Sequence, residues 1–431
     1  MNQVSPVITS DAKPGFAELD FTQHLAQTEA PSLDELVRRA RALRPMLMEY
    51  QAETEELTQP PLVVWQALLD AGFFKIITPK RYGGWEMGVW PFVKVTEEIA
   101  RGCMSTAWCY SLGYGHAYTG AAFFPEQAQD EMFGEAGYLC AASFAYPCGQ
   151  ARRVDGGYVV TGDFPYGSGS PYSNYYMGEF PAPAGSPHGE EGSLLFFAAP
   201  RDQYELLDDW HGMMGLRGSG SQTVRLKESF IPDRLMVATC FSNLRAIDGT
   251  TLGYELHKNP FYRLPQLGFA SCYGNAVVVG GSLAACDEFE HIARTKPPRV
   301  PGALNVKKFK YQAQVQDVQR NFALGLADVE AAEGVLRATS EDLAALGDRE
   351  YDMTDCLSIV LRMASTGKFA WKAVEDRLWR TIGSSQARDG TRMERYWRDL
   401  STYWNSPNNG YRELFAVGYA QGRWADLLND P

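Results

Sequence analysis

The chain has 431 residues, 45% hydrophobic and 21% charged, with a formal net charge of −12 at pH 7. That length buries a core for two or three domains or one large multi-part fold, and the composition is that of an ordinary soluble globular protein. The acidic balance excludes a general nucleic-acid binder, which needs basic patches against phosphate.

Residues 1–31 read as a flexible arm and 32–138 as an N-terminal helical domain. Ser32, with Glu35 three residues on, forms a capping box. Leu36, Ala40, Leu43 and Leu47 keep one helical stripe, and Pro45 inside it is expected to kink the helix. After Pro60-Pro61, Leu62, Trp65, Leu69 and Phe73 share the face of a second helix. The segment Thr78 to Gly84 is a turn, and helices resume from Pro91 to about Arg101 and on through Phe133.

A central β-domain spans 139–258. Val154-Asp155-Gly156-Gly157 running into Tyr158-Val159-Val160-Thr161 is a hairpin signal. Ser193 to Ala199 and Thr223 to Phe230 are further strands, the latter alternating Val224 and Leu226 with Arg225 and Lys227. Pro181 to Gly192, rich in Pro, Gly and acid, is an exposed, solvated loop. Between the strands stands Trp210-His211-Gly212-Met213-Met214-Gly215-Leu216-Arg217-Gly218-Ser219-Gly220-Ser221, then Ser229-Phe230-Ile231-Pro232. Small residues let backbone approach a ligand closely, and successive N–H and hydroxyl donors suit a ring edge or phosphate. Arg217 adds a positive fork. The plain alternative is a Gly/Ser turn before a strand. For Trp210 and His211, packing against this run is expected.

Residues 259–431 form a C-terminal four-helix-bundle domain, with long periodic segments near 264–294, 308–344 and 352–382 and a shorter one from Arg392. The fold class is therefore α+β, mainly α, with helices and strands in separate domains. No run of about 18 apolar residues signals a membrane span. The polar start, Met1 to Asp20, shows no secretory leader. The eight cysteines (103, 109, 140, 148, 240, 272, 286, 356) contain no Cys-x-x-Cys pair. Free thiols in a reducing cytoplasm are expected. Six histidines without His-Glu-x-x-His give no reason to expect a metal. Neither a Gly-x-Gly-x-x-Gly dinucleotide fingerprint nor a Walker motif is present.

The helix–strand–helix order, the Gly-Leu-Arg-Gly-Ser-Gly-Ser run and the Tyr82-Gly83-Gly84 turn together resemble the acyl-CoA dehydrogenase superfamily over residues 33 to 425. Within it, three segments are similar to the group D flavin-dependent monooxygenases, the oxygenase components of two-component aromatic hydroxylases. These segments are Ser105-Thr106-Ala107-Trp108 with His116 and Phe124 to Gln129; Ala142-Ser143-Phe144-Ala145 with Val154 to Tyr158 and Ser168-Gly169; and Arg395-Tyr396-Trp397-Arg398-Asp399-Leu400.

The resemblance implies a reaction in which reduced FMN or FAD and O2 hydroxylate a phenolic or other aromatic or polycyclic small molecule through a flavin C4a-hydroperoxide. The flavin is diffusible and comes from a separate NAD(P)H:flavin reductase. A dry, hydrogen-bonding pocket must protect such an adduct. By resemblance Ser168 and Ser143 supply hydroxyls beside the flavin. His116 orients the phenol and favours its phenolate, a role suited to an imidazole. Arg217, Gly218, Ser219, Ser168, Arg294 and Arg398 hold the cofactor, with Arg395 beside them. Phe144 and Tyr146, in an aromatic set with Phe164 and Tyr166, line the substrate pocket with His116 and Ser406. Local backbone bonding for the serines, a satisfied core role for His116, ion pairs for the arginines and plain core packing for the aromatics are the competing readings.

Two departures stand out. A dehydrogenase of this superfamily carries its base eight residues past the Arg-Asp pair, where this chain has Pro407 in Trp404-Asn405-Ser406-Pro407-Asn408-Asn409. Related hydroxylases carry a second His seven residues past it, where this chain has Ser406. An acyl-CoA dehydrogenase-type flavoprotein, an N- or S-oxygenase and an inactive flavin-binding assembly protein are the alternatives. The implied assembly is a homotetramer, or a dimer, in the cytoplasm, without membrane or nucleic acid.

Overall fold

The computed structural model describes residues 13–144, 146–298, 309–406 and 412–425. Residues 13–31, read as a flexible arm, are instead packed. Phe16 and Phe21 lie 5.7 and 5.3 Å from the Tyr138 ring, buried His24 bonds the Ala136 carbonyl at 3.1 Å, and Lys13 reaches Asp208 at 2.6 Å. The aromatic residues of a segment too short to show periodicity find a groove on the next domain. The short helix α1 (Thr22–Ala26) lies within it.

Helix α2 (Leu33–Glu49) starts at Ser32, whose hydroxyl accepts from the Glu35 N–H at 3.2 Å, and continues through Pro45. Helices α3 (Gln51–Leu57), α4 (Leu62–Asp70), α5 (Val89–Ala100), α6 (Met104–Phe123) and α7 (Glu126–Phe133) complete the first domain. Of the 20 residues of α6 all but Leu112 are buried. Glycines make that possible. A Cβ at Gly113 would stand 2.9 Å from Cys140 Sγ, and one at Gly115 would stand 2.7 Å from the Tyr273 ring. The helix is thus held between the β-domain and the C-terminal bundle.

The β-domain has strands β1 (Ala141–Ser143), β2 (Gln150–Val154), β3 (Gly157–Gly167), β4 (Tyr175–Pro181), β5 (Leu194–Pro200), β6 (Glu205–Leu206), β7 (Gln222–Pro232) and β8 (Met236–Val237). They form two four-stranded sheets, ordered β1-β4-β5-β8 and β2-β3-β7-β6. The β2–β3 hairpin turns at Asp155-Gly156, where Gly156 takes φ 75°. Phe164 of β3 packs 5.3 and 5.8 Å from Tyr176 and Phe197 of the first sheet. Since side chains alternate across a strand, register leaves Ser143, Met177, Glu179 and Phe196 on the opposite face.

After α8 (Leu252–His257) come α9 (Gln266–Thr295), α10 (Gln316–Leu346), α11 (Met353–Ala373) with a π-helical turn Val374–Trp379, α12 (Arg380–Ile382), α13 (Arg392–Trp404) and α14 (Arg412–Arg423). Among the described residues one helix, α9, is long and apolar enough to cross a membrane, but 89% of its apolar window is buried inside the protein. It packs against α5, α6, α10, α11 and α13 as a core helix.

Candidate active site

The Gly-Leu-Arg-Gly-Ser-Gly-Ser run turns out to be a buried junction. The Leu216 N–H donates to Asp399 Oδ1 at 2.6 Å, the Gly218 N–H to Ser105 Oγ at 3.3 Å and the Gly220 N–H to the Thr58 carbonyl at 2.8 Å. A Cβ on Gly215 would lie 2.3 Å from the Arg398 carbonyl oxygen, and one on Gly218 2.2 Å from Thr54 Cγ2. The close approach is therefore to α3 and α13, and the N–H groups read as ligand donors already have protein acceptors. Gly218 packs against Thr54 of α3. Arg217 donates to the Met213 carbonyl at 2.9 Å and is about a third exposed, 4.0 Å from Glu55. Trp210 donates to the Leu216 carbonyl at 3.0 Å and packs 5.9 Å from Tyr166, while His211 pairs with Asp208.

Arg398 adjoins this junction. It is buried and bonds Glu394, Glu55 and the Met214 carbonyl, and Arg395 bonds Glu55 and Gln51 at 3.0 Å. Both guanidiniums are committed to carboxylates inside the protein, so neither is open to a phosphate. Beside them burial pushes the Asp399 carboxyl up to about 7. Arg294 is exposed at the end of α9 and pairs with Glu290 one turn back.

The serines of the run lead to Ser168. Ser219 and Ser221 hydroxyls are 2.6 Å apart, Ser221 and Ser168 hydroxyls 2.8 Å, and the Trp108 indole N–H donates to Ser168 Oγ at 3.0 Å. An indole only donates. Ser168 oxygen therefore accepts from Trp108, and its hydroxyl also shares a hydrogen bond with Ser221. Gly169, at φ 77°, lies so close to α6 that a Cβ there would stand 2.8 Å from the Cys109 carbonyl oxygen.

Trp108, Leu112 and His116 follow one another at i, i+4 and i+8 down one face of α6, spanning about 12 Å. Their face holds Leu112, the single residue of α6 that is not buried. His116 Nδ1 lies 2.6 Å from the Leu112 carbonyl, and Ala141 of β1 presents its carbonyl to the ring. Burial pushes the imidazole down to about 4, so it is neutral at pH 7. A carbonyl only accepts, so in the neutral ring the Leu112 carbonyl takes the Nδ1–H. Phe241 covers this side, its ring 5.9 Å from His116. Ser143 ends β1 two residues past Ala141, half-buried. At the other end, Tyr403 of α13 meets Trp108 edge-on at 5.7 Å, and Ser406 Oγ is buried with no partner among the described residues. Pro407, Asn408 and Asn409, like Ala145, lie outside the described residues.

Of the aromatic set, Phe164 is corrected to the interior of the sandwich. A β-bulge between Phe164 and Gly167 turns Tyr166, at φ 58°, outward. Tyr166 and Tyr146 are 52% and 55% exposed and flank Phe144 at 5.7 and 6.1 Å. This shelf is an apolar, half-exposed aromatic surface, and Ser168 and Ser406 are hydroxyls of the chain's buried interior. Aromatic and hydroxyl groups suit a planar, weakly polar ring such as a flavin. Sequence reasoning missed Glu179. The only mark of Glu179 is a lone acid in the apolar run Tyr175-Tyr176-Met177-Gly178-Glu179-Phe180.

Comparison with known proteins places the chain. Residues 31–140 match the acyl-CoA dehydrogenase N-terminal domain and residues 273–404 its C-terminal domain. A pigment production hydroxylase from a Rhodococcus species is 34% identical over 85% of this chain and 90% of its own length. The HsaA oxygenase subunit of a flavin-dependent monooxygenase from Rhodococcus jostii is 30% identical over 84% of this chain and 91% of its own. The crystal structure of a 3-HSA hydroxylase from a Rhodococcus species superposes with a TM-score of 0.79 at 27% identity, over 91% of this chain and 98% of that one.

Proposed function

The chain belongs to the acyl-CoA dehydrogenase family, and from that membership we propose its reaction: it is the oxygenase component of a two-component flavin-dependent monooxygenase, hydroxylating a phenolic or other aromatic small molecule. A separate reductase supplies the reduced flavin, and O2 is the other substrate. When bound, reduced flavin activates O2 and furnishes the oxygen atom that enters the ring.

The observation that carries the residue assignments is the seam between α6 and the β-domain. Ser168, fixed by a donor-only indole, is the hydroxyl assigned to the flavin edge. His116 is a buried, neutral imidazole, assigned to accept a hydrogen bond from the phenol hydroxyl. Accepting that hydrogen bond raises electron density on the aromatic ring, which favours attack on an electrophilic oxygen. Ser143 is a second hydroxyl at the end of β1. Phe144, Tyr146 and Tyr166 present an apolar shelf to the flavin or substrate rings, and Phe241 and the buried rings around it exclude water. Ser406 gives the far end a small hydroxyl where relatives of the family carry an imidazole. Arg217, Ser219 and Arg294 are the remaining cofactor assignments, Ser219 through Ser221, and Arg294 at the protein surface.

The same reading takes 32–138, 139–258 and 259–431 as the three domains. The chain acts as a cytoplasmic homotetramer, in keeping with exposed Phe369 and Val335 on α11 and α10.

The test supplies photoreduced FMN or FAD, 18O2 and a panel of phenols to the purified protein without nicotinamide or reductase. Incorporation of one 18O atom into a phenol establishes the reaction and names the flavin. Reoxidation of both flavins at the protein-free rate, with no labelled product from any phenol, refutes it.

A further inference from the structure

Glu179 is the only buried carboxylate among the described residues of the two sheets. Every residue of β4 except Pro181 is buried, and an apolar residue would be far cheaper to place there than an acid. No cation among the described residues pairs with Glu179. Its Oε1 instead accepts the backbone N–H of Phe241. Phe241 opens a short 3-10 turn, Phe241–Asn243, beyond the edge strand β8.

The far end of that turn is fixed as well. The Leu244 carbonyl accepts from the N–H of Gln266, the first residue of α9, at 2.9 Å. Gln266 Oε1 in turn accepts from Thr119 Oγ1 of α6 at 2.8 Å. Between these two anchors the Phe241 ring is set 6.0 Å from Phe196 and 5.9 Å from His116. Register places Glu179 directly opposite Phe196, so the carboxylate and both phenyl rings share the face of the sheet that looks toward His116.

We propose that Glu179 is a positioning residue: through the Phe241 N–H it fixes the aromatic wall against His116, and so sets the size of ring system that reaches this imidazole. The inference rests on the reading of His116 as the substrate-facing base. A buried carboxylate that, among the described residues, is bonded to a turn beyond its own sheet acts on that turn. Desolvation holds the acid above the usual carboxylate range and the Phe241 N–H pulls it back, so its ionised form is tied to the turn being in place.

The test compares Glu179→Gln, which keeps an acceptor oxygen, with Glu179→Leu, which keeps the volume. Ring-labelled histidine is titrated by NMR in the flavin-free protein, with the His116 resonance assigned by its absence in His116→Gln. Glu179→Leu is expected to admit water to the ring and raise the His116 midpoint by about one pH unit or more, and Glu179→Gln to titrate like the parent. In turnover, Glu179→Leu should raise KM for a phenol about tenfold with kcat within about twofold, and Glu179→Gln should restore KM. Phe241→Ala removes the wall and leaves Glu179 intact, so it should raise the His116 midpoint in the same way if Glu179→Leu does not fold. A folded Glu179→Leu with unchanged titration and KM overturns the proposal, as does an unchanged Phe241→Ala. If the parent turns over no phenol, the titration still decides the positioning role, and only the functional reading fails.

Discussion

Replacing His116 with glutamine removes a titrating group from a site where the fold admits no charge. The ring is 4% exposed and its folded midpoint is about 4, against 6.5 for a free imidazole. A histidine with a depressed folded midpoint contributes stability that is present above 6.5 and is lost as pH falls toward 4, because the unfolded chain takes up the proton first. Every pH unit between the two midpoints corresponds to about 1.4 kcal/mol. The separation here therefore amounts to about 3 kcal/mol, of which about 2 kcal/mol is lost by pH 5. Urea unfolding followed by tryptophan fluorescence at pH 7.5, 6, 5 and 4.5 gives the stability of parent and His116→Gln. The parent-minus-variant difference should fall by about 2 kcal/mol between pH 7.5 and 5. His24, also held down to about 4, titrates in both proteins and cancels. A difference that stays flat with pH would mean the ring is solvated in the fold, and the neutral acceptor assigned to His116 would fall with it.

Ser168→Ala leaves Trp108 Nε1 without its acceptor and removes the hydroxyl assigned to flavin, so product per O2 consumed should drop about tenfold with matching peroxide release, read by oxygen electrode and product analysis. Ser221→Ala, one hydroxyl further back, should lower the same ratio by a smaller factor, about threefold. An unchanged ratio would remove the serine chain from the mechanism. Gly215→Ala drives a methyl group to 2.3 Å from the Arg398 carbonyl oxygen and should destabilise by about 3 kcal/mol, seen as a lowered Tm. For Asp399 the folded midpoint is raised to about 7, so its stabilising share is present below the unfolded midpoint and is lost as pH rises toward 7. Asp399→Asn should therefore gain on the parent as pH increases from 4 to 8 in the same urea series, the opposite slope to His116→Gln.

Local pattern made much of this architecture legible. The Ser32 N-cap opens α2, though Glu35 pairs with Arg38 and Arg39 instead of closing a capping box; the Asp155-Gly156 turn closes the β2–β3 hairpin, and the long stripes became the bundle, because each depends on neighbours within a few residues. His116, Ser143 and Ser168 are singled out by their motif settings, and of these α6 carries His116 and, through Trp108, touches Ser168. What escaped is non-local. The donors of the Gly-Leu-Arg run look free in sequence because Thr58, Ser105 and Asp399, which occupy them, lie far away along the chain. Arg395 and Arg398 look like phosphate binders until Glu55 appears on α3. A bulge reversed the sense of alternation after Phe164 and sent Tyr166 outward. Glu179 had no periodicity to betray it, since its partner is a backbone N–H 62 residues on.

The same junction fixes an order of events in time. Leu216 waits for a partner 183 residues later, and Gly218 for one 113 residues earlier. Contacts of such separation form only after long loops have closed, and they are the slow steps of a folding reaction. The helices and the hairpin can therefore settle while the junction is still open. Ser168, tied to that junction through Ser221 and Ser219, is poised only after first domain, sandwich and bundle have met. A half-assembled chain would look well folded to most probes and still be unable to hold its flavin.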